Sequence, residues 1–387
     1  MSEKQISTAM EIVIPINTSK KYIKQLIDID GFNQSIYLSG PSGIGKSEIV
    51  YQLAEELNAE LFDIRLGSLD VIDLNGIGVP DIKNKTAFWT RPENFPPEKS
   101  DKLFILFLDE FNHANESVLG SAYQIVLERR MGTHKFPPNM LIIAAGNTIN
   151  DNGIAFSLPS PLINRFTKMN VKEDIDEWLD FAIQKNIDWK ITGFLKSNPK
   201  YLHRFIPEST EDNFCTPRNW VKSNKIVSME NIDDNIDFVK TVLNGMLGYS
   251  AMLKFTVYLD LIKKLPMLED VLNDNNPEKL DNELDSSYAF FMLIKNYLIN
   301  NIEKEISNEQ LFNIIKFVNK QSNQEVMQLI IFDILEIVNS SNRLNNTING
   351  KKQLNEFHYL LFEDENNILN NNISFKNKMK EFSSNLK

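Results

Sequence analysis

The chain has 387 residues, of which 42% are hydrophobic and 24% charged, with a formal net charge of −11. That length suits two or three globular domains. The acidity excludes a global electrostatic footprint for nucleic acid, since duplex binders neutralise phosphates with Lys and Arg, although a local basic pore in an assembly stays open.

The amino-terminal stretch Met1–Met10 has no apolar core and no cleavage signal. Glu11–Pro15 is followed by a predicted helix, Lys20 to Asp30, and a turn at Gly31. Ser35-Ile36-Tyr37-Leu38 then reads as a short buried strand, and Glu48 to Leu57 as a helix with Ile49, Leu53 and Leu57 on one face. Between them lies Gly40-Pro41-Ser42-Gly43-Ile44-Gly45-Lys46-Ser47, which fits G-x-x-x-x-G-K-[ST]. Glycines let backbone wrap a polyphosphate without a Cβ in the way. The N–H groups of the loop and of the first helical turn then face the negative charge. Lys46 is placed to reach the outer phosphates and Ser47 to ligate Mg²⁺. The structural alternative is a Gly-rich turn, which the strand–loop–helix setting disfavours. The chain is expected to bind a nucleoside triphosphate.

Leu61 to Leu66 alternates and reads as a second strand. The stretch from Gly67 to Asp101 reads as loop, carrying Gly76, Gly78, Pro80, Pro92, Pro96 and Pro97. Its Trp89–Pro97 portion is either a substrate-facing loop or a surface loop pinned by its aromatics. Leu103–Leu108, an unbroken apolar run, is far short of the ~20 residues of a membrane span, so a soluble, cytoplasmic chain is expected. Phe104–Leu108 itself is the kind of run that a parallel strand buried on both faces carries. Asp109 and Glu110 close it. Ligands sit at the carboxyl ends of strands in open α/β sheets, so Asp109 is placed to hold Mg²⁺ and Glu110 to deprotonate the attacking water. Two solvated acids at a strand end are the bland alternative.

Asn115 to Arg129 has helical spacing, Arg130 to Pro138 breaks it, and Met140–Ala145 is another buried strand. Asn147 follows, either to contact a γ-phosphate or water or simply as a turn residue. Leu158 to Arg165 reads as a short helix and Thr167 to Val171 as β-compatible, completing an αβα domain with a mostly parallel sheet over 1–172. Arg165 ends its helix, where a cation suits helix carbonyls. Arg218 opens another, where its charge opposes the dipole; either arginine alone is a weak signal. Asp174–Asn186, Trp189–Lys196, Arg218–Met229 and Ile236–Tyr258 favour helix, giving a helical domain over 173–270. Beyond it, residues 271–387 form a helical extension with an Asn-rich, partly disordered end. There, Leu311, Ile314, Ile315 and Val318, and again Met327, Ile330, Ile331 and Ile334, recur at helical spacing. The single cysteine, Cys215, excludes an intrachain disulfide or a cysteine-cluster metal site. His134, His203 and His358 lack ligand spacing and read as surface or core-edge residues.

The order of these motifs resembles that of the AAA+ ATPases, and among them the MoxR-like and dynein-related branch. Asp73–Pro80 resembles its D-L-x-G segment. Asp109-Glu110-Phe111-Asn112-His113-Ala114 resembles D-E-x-N-R-A. Glu128–Gly132 with Phe136-Pro137 resembles the hairpin before the sensor strand, and Leu158–Phe166 resembles L-P-x-A-L-x-x-R-F. The resemblance covers roughly residues 10 to 260. It implies ATP and Mg²⁺ as ligands, with a P-loop αβα domain followed by a helical lid. Lys46 and Ser47 would serve phosphates and metal, Asp109 the metal, Glu110 the water and Asn147 the first sensor. Arg165 would be an arginine finger offered to a neighbouring subunit, and Arg218 the second sensor. It further implies a hexameric ring of copies that remodels a protein client, with a von Willebrand A-type partner acting in trans, since no D-x-S-x-S signature occurs in the chain itself. His113 stands where the branch usually has Arg. The alternatives are a nucleic-acid motor of the GTP-using restriction type and a nucleotide-gated scaffold. Acidity speaks against the first; Asp109, Glu110 and Arg165 speak against the second.

Overall fold

Side chains along a strand alternate between faces, so an unbroken apolar run needs cover on both. The computed structural model describes residues 11–148, 158–206, 213–304 and 306–362. Among these the chain forms two compact units. One runs from 11 to 178 with 203–206 and 216–219; the other holds 179–202, 213–215 and the residues from 220 onward.

The first unit carries β1 (Val13–Pro15), α1 (Ile16–Asp30), β2 (Ser35–Ser39), α2 (Lys46–Glu56), β3 (Glu60–Arg65), α3 (Val71–Asn75), β4 (Gly78–Asp81) and β5 (Thr86–Trp89). Then come β6 (Phe104–Asp109), α4 (Glu116–Glu128), β7 (Arg130–Met131), β8 (His134–Lys135), β9 (Met140–Gly146), α5 (Ser160–Ile163), β10 (Thr167–Lys172) and the start of α6 (Ile175–Gln184). Six strands form one sheet in the order β1-β10-β2-β9-β6-β3, with every neighbouring pair parallel. Alternation sorts the side chains by face. Ile105, Phe107, Leu141, Ile143 and Ala145 pack with Ile16 and Ile23 of α1 and Ile49, Val50 and Leu53 of α2. Phe104, Leu106, Leu108, Met140, Ile142 and Ala144 pack with Leu74 of α3 and Val118, Ala122 and Ile125 of α4. Each of these large apolar residues contributes roughly 1.5–3 kcal/mol by leaving water. The result is the expected αβα sandwich, with a sheet that is parallel throughout.

The stretch from Gly67 to Asp101 is more regular than a loop. Asp70 and Asp73 close a capping box on α3, and β4 and β5 pair as an antiparallel hairpin. Asn84 closes its turn by bonding Asp81, at 3.2 Å through its backbone N–H and 2.8 Å through its side-chain amide. Strands of four residues, one of them with Gly and Pro inside it, give no periodicity to read. The break predicted after α4 is a second small hairpin, β7–β8.

The second unit is helical. After α6 come α7 (Trp189–Ser197), α8 (Pro217–Val227, in this unit from Trp220), α9 (Ile236–Leu247), α10 (Tyr249–Ile262) and α11 (Leu268–Leu272). They are followed by α12 (Leu284–Asn301), α13 (Asn308–Asn319), α14 (Gln324–Ser340), α15 (Asn342–Asn346) and α16 (Ile348–Phe362). Ile236–Tyr258, expected as a continuous helical stretch, is two helices. Gly248, at φ 82°, ends α9 in a conformation that glycine adopts without strain. Phe194 centres the unit's aromatic core, its ring 5.1–5.6 Å from those of Tyr201, Trp220, Phe255 and Tyr258. Both predicted stripes, on α13 and α14, are buried. So are Phe357 and Phe362 of α16. Of the Asn-rich end, which begins at Asn339, the part through Phe362 includes α15 and α16, and the residues past 362 lie outside the described residues.

Candidate functional site

In a parallel sheet, residues that leave the carboxyl ends of the strands share one edge. Ser39 pairs with Gly146, and Leu108 with Ala144. Gly40, Asp109 and Asn147 therefore leave the sheet at nearly one level. Gly40–Ser47 leads from β2 into α2. Gly43 and Gly45, with φ of 77° and 107°, turn the chain where a side chain would be strained. Gly43 also has a neighbour too close for a Cβ, which would lie 2.9 Å from Thr216. The N–H of Arg218 donates to Gly43 O at 3.2 Å, and His203 Nε2 lies 3.0 Å from Ser42 O. Ile44 points into the core. The loop is thus held by its own glycines, by an apolar anchor and by two segments packed against it.

Lys46 is buried. Its Nζ donates to Gly40 O and Pro41 O, each at 2.7 Å, and to Asn147 Oδ1 at 3.0 Å. Ser47 Oγ donates to Asp109 Oδ2 at 2.9 Å, while Asp109 Oδ1 accepts the N–H of Glu110 at 2.8 Å. Glu110 sits in the left-handed region, φ 54° and ψ 36°, and starts a 3₁₀ turn over Phe111–His113. Its side chain is exposed, with Oε2 2.8 Å from where a Cβ on Gly67 would be. A non-glycine residue in that conformation is uncommon and marks a specified geometry.

Asn147 is more than a turn residue, because its side chain accepts from Lys46. Its backbone is held by a buried amide: Asn112 Nδ2 donates to Asn147 O at 2.8 Å, and Asn147 N–H donates to Asn112 Oδ1 at 3.0 Å. Gly146 before it is closely approached, since a Cβ there would lie 2.1 Å from the Tyr37 hydroxyl and 2.6 Å from Asn112 Oδ1. Burial pushes the Tyr37 phenol far up, so it stays neutral.

Arg165 is elsewhere. Thr167 pairs with Ile36 and Asn170 with Ser39, so Arg165 lies at the amino end of β10 and level with Gln34. About six residues of strand, on the order of 20 Å at ~3.3 Å per residue, separate that level from Gly40. Its side chain is exposed and bonds no described residue. Arg218 joins the loop through its backbone, and its side chain too is exposed without a described partner.

The structure therefore gathers Gly40–Ser47, Asp109, Glu110 and Asn147 and leaves Arg165 apart. Sequence reasoning gave no role to Asn112, Tyr37, Thr216 or His203. Asn112 alone left a trace, as the Asn of the Asp109–Ala114 stretch that resembles D-E-x-N-R-A. His113 has a buried Nδ1 without a hydrogen-bond partner among the described residues. His134 and His358 bond Trp89 O and Asn339 Oδ1, each at 3.0 Å. Among the described residues no group of three or more His, Cys, Asp or Glu could hold a metal ion, and no helix is long and apolar enough to cross a membrane.

Residues 35–166 match the family model for the AAA domain of the dynein-related subfamily. The chain is 29% identical to midasin of Giardia intestinalis over 188 residues, which is 46% of this chain and 4% of that protein's length. Among solved structures it is similar to a putative ATPase from Cytophaga hutchinsonii, at 14% identity and a TM-score of 0.30, covering 60% of this chain and 88% of that one. It is also similar to the Thermotoga maritima RuvB Holliday junction branch migration motor, at 14% identity and a TM-score of 0.34, covering 67% and 76%. The matched residues hold Gly40–Ser47, Asp109–Glu110, Asn147 and Arg165, so the segment that carries the site is the one that is similar to the AAA domain of the dynein-related subfamily.

Proposed function

We propose that this chain binds ATP with Mg²⁺ and hydrolyses it, and that copies assembled in a hexameric ring use the cycle to remodel a protein client. One observation carries the reading. Lys46, Ser47, Asp109 and Asn147 are joined by hydrogen bonds at the carboxyl edge of the sheet.

The residues fit the ligands. A hydroxyl and a carboxylate 2.9 Å apart, Ser47 and Asp109, are hard oxygen donors of the kind Mg²⁺ takes alongside water and phosphate. Mg²⁺ supplies neutralisation of the charge on the transferring phosphoryl group. The first N–H groups of α2 have no acceptor within the helix, so they are available to phosphate oxygens. Lys46, now bonded to the carbonyls of its own loop, would exchange them for phosphate, a charge-assisted and stronger acceptor. Glu110 would take the proton of the attacking water and Asn147 would orient it. The position of Arg165, far from its own loop along the sheet, supports its use in a neighbouring copy. Arg218 would act from the start of α8.

The β4–β5 hairpin supports a protein client, since Ile77, Ile82, Phe88 and Trp89 are all exposed. The rest of the neighbouring loop is pinned: Phe95 is buried and stacks on Phe136 at 5.9 Å. A von Willebrand A-type partner in trans and a cytoplasmic setting belong to the same proposal. The test is turnover of ATP and of GTP with Mg²⁺, with chelator and with Lys46→Ala. Release of phosphate that chelation and Lys46→Ala both abolish is expected. Turnover that survives either one overturns the assignment.

A further inference from the structure

A catalytic constellation is only as accurate as the residues that hold it, and the order of Asn147 has one visible source. Asn147 leaves the sheet after β9, where the ladder hydrogen bonds end. Its N–H and C=O are both taken by one side chain, the Asn112 amide, at 3.0 and 2.8 Å. An amide has a donor and an acceptor side by side, so it can pair with the N–H and C=O of one residue as a neighbouring strand would. Asn112 is buried, so water does not compete for these bonds. Room for it depends on Gly146, where a Cβ would lie 2.6 Å from Asn112 Oδ1. Asn112 also sits within the 3₁₀ turn that Glu110 opens. One side chain thus ties the turn that follows Asp109-Glu110 to the segment whose own side chain meets Lys46.

We infer that Asn112 is a positioning residue. It locks the segment after β9 to the turn after β6, so that the Asn147 amide is presented to Lys46 and to the phosphate and water beyond it. Asn112 reaches the nucleotide through Asn147 and does not touch it. The inference rests on the proposed hydrolysis for its kinetic readout and on geometry alone for its structural one.

A double-mutant cycle tests it, because residues that act as a unit are non-additive. Turnover of ATP is compared in wild type, Asn112→Ala, Asn147→Ala and the double variant, with nucleotide affinity measured by calorimetry and folding by thermal melts. Asn112→Ala is expected to lower kcat about 10–100-fold, as loss of outer-shell partners does, with affinity for ATP little changed. The double variant is expected to fall no further than Asn147→Ala alone. Additive losses, or a kcat within about twofold of wild type for Asn112→Ala, overturn the role. Should Asn112→Ala fail to fold, Asn112→Asp keeps the size and the acceptor while removing the donor to Asn147 O, and the same loss is expected. If the wild type itself does not hydrolyse ATP, the proposed function fails, and the inference is decided by crystal structures of wild type and variant. Retention of the Lys46–Asn147 contact in Asn112→Ala would then overturn it.

Discussion

The residues expected to act on nucleotide fall into two sets with opposite structural character. Lys46, Ser47, Asp109 and Asn147 are tied to one another by hydrogen bonds, and Lys46 is buried. Arg165 and Arg218 are exposed, and their guanidinium groups bond no described residue. The difference follows from where each leaves the fold. The first set follows the carboxyl ends of β2, β6 and β9, at nearly one level in register. Arg165 precedes the amino end of β10, and parallel strands put those two ends on opposite edges. A group that a parallel sheet holds away from the loop can act there only if a second copy brings it. The bonded set is held together by hydrogen bonds of the fold itself.

Arg165→Ala cuts deepest into this contrast. A cation at the transferring phosphoryl group is worth ~10³–10⁵ in rate, so phosphate release is expected to drop by about that factor while calorimetric affinity for ATP holds. Turnover per chain in the wild type should also rise with protein concentration, and full activity as a dilute monomer would remove the distinction between the two sets. Glu110→Gln comes next. It leaves the bonded set in place and removes the base, so a loss of about 10²–10⁴ in kcat with ATP binding retained is expected. Unimpaired turnover in that variant would reassign the base. The smallest effect is on stability. Gly146→Ala places a methyl against the Tyr37 hydroxyl and Asn112, which is overpacking worth about 1–3 kcal/mol. In a unit of this size that lowers the melting temperature by roughly 2–4 °C per kcal/mol. An unchanged melt would mean that the site tolerates displacement of Asn112.

Much of the site was legible because its signals are local. Gly40–Ser47 needs glycines at positions set by backbone conformation, and Asp109-Glu110 needs only to follow an apolar strand. Other features were less plain. Asn112 stands in the stretch that resembles D-E-x-N-R-A, but its partner, Asn147, is 35 residues away and is met only when β6 and β9 become neighbours in the sheet. The β4–β5 hairpin escaped reading because its strands have only four residues each, too few for a period to repeat. Gly248 sat in a stretch whose apolar spacing continues across it, and its positive φ is a property of the fold.

What the amino-acid order determined alone is the list of parts. Alternation and unbroken apolar runs specified a parallel sheet covered on both faces, since period-2 side chains have nowhere else to go. The phosphate-loop pattern specified where a polyphosphate would be cradled. The tertiary structure decided which parts meet. Strand order and register brought Ser47 to Asp109 and Lys46 to Asn147, closed the Asn112 amide on the backbone of Asn147, and set Arg165 at the far edge. Hydrogen bonds between residues distant in the chain exist only once the sheet has brought their strands together.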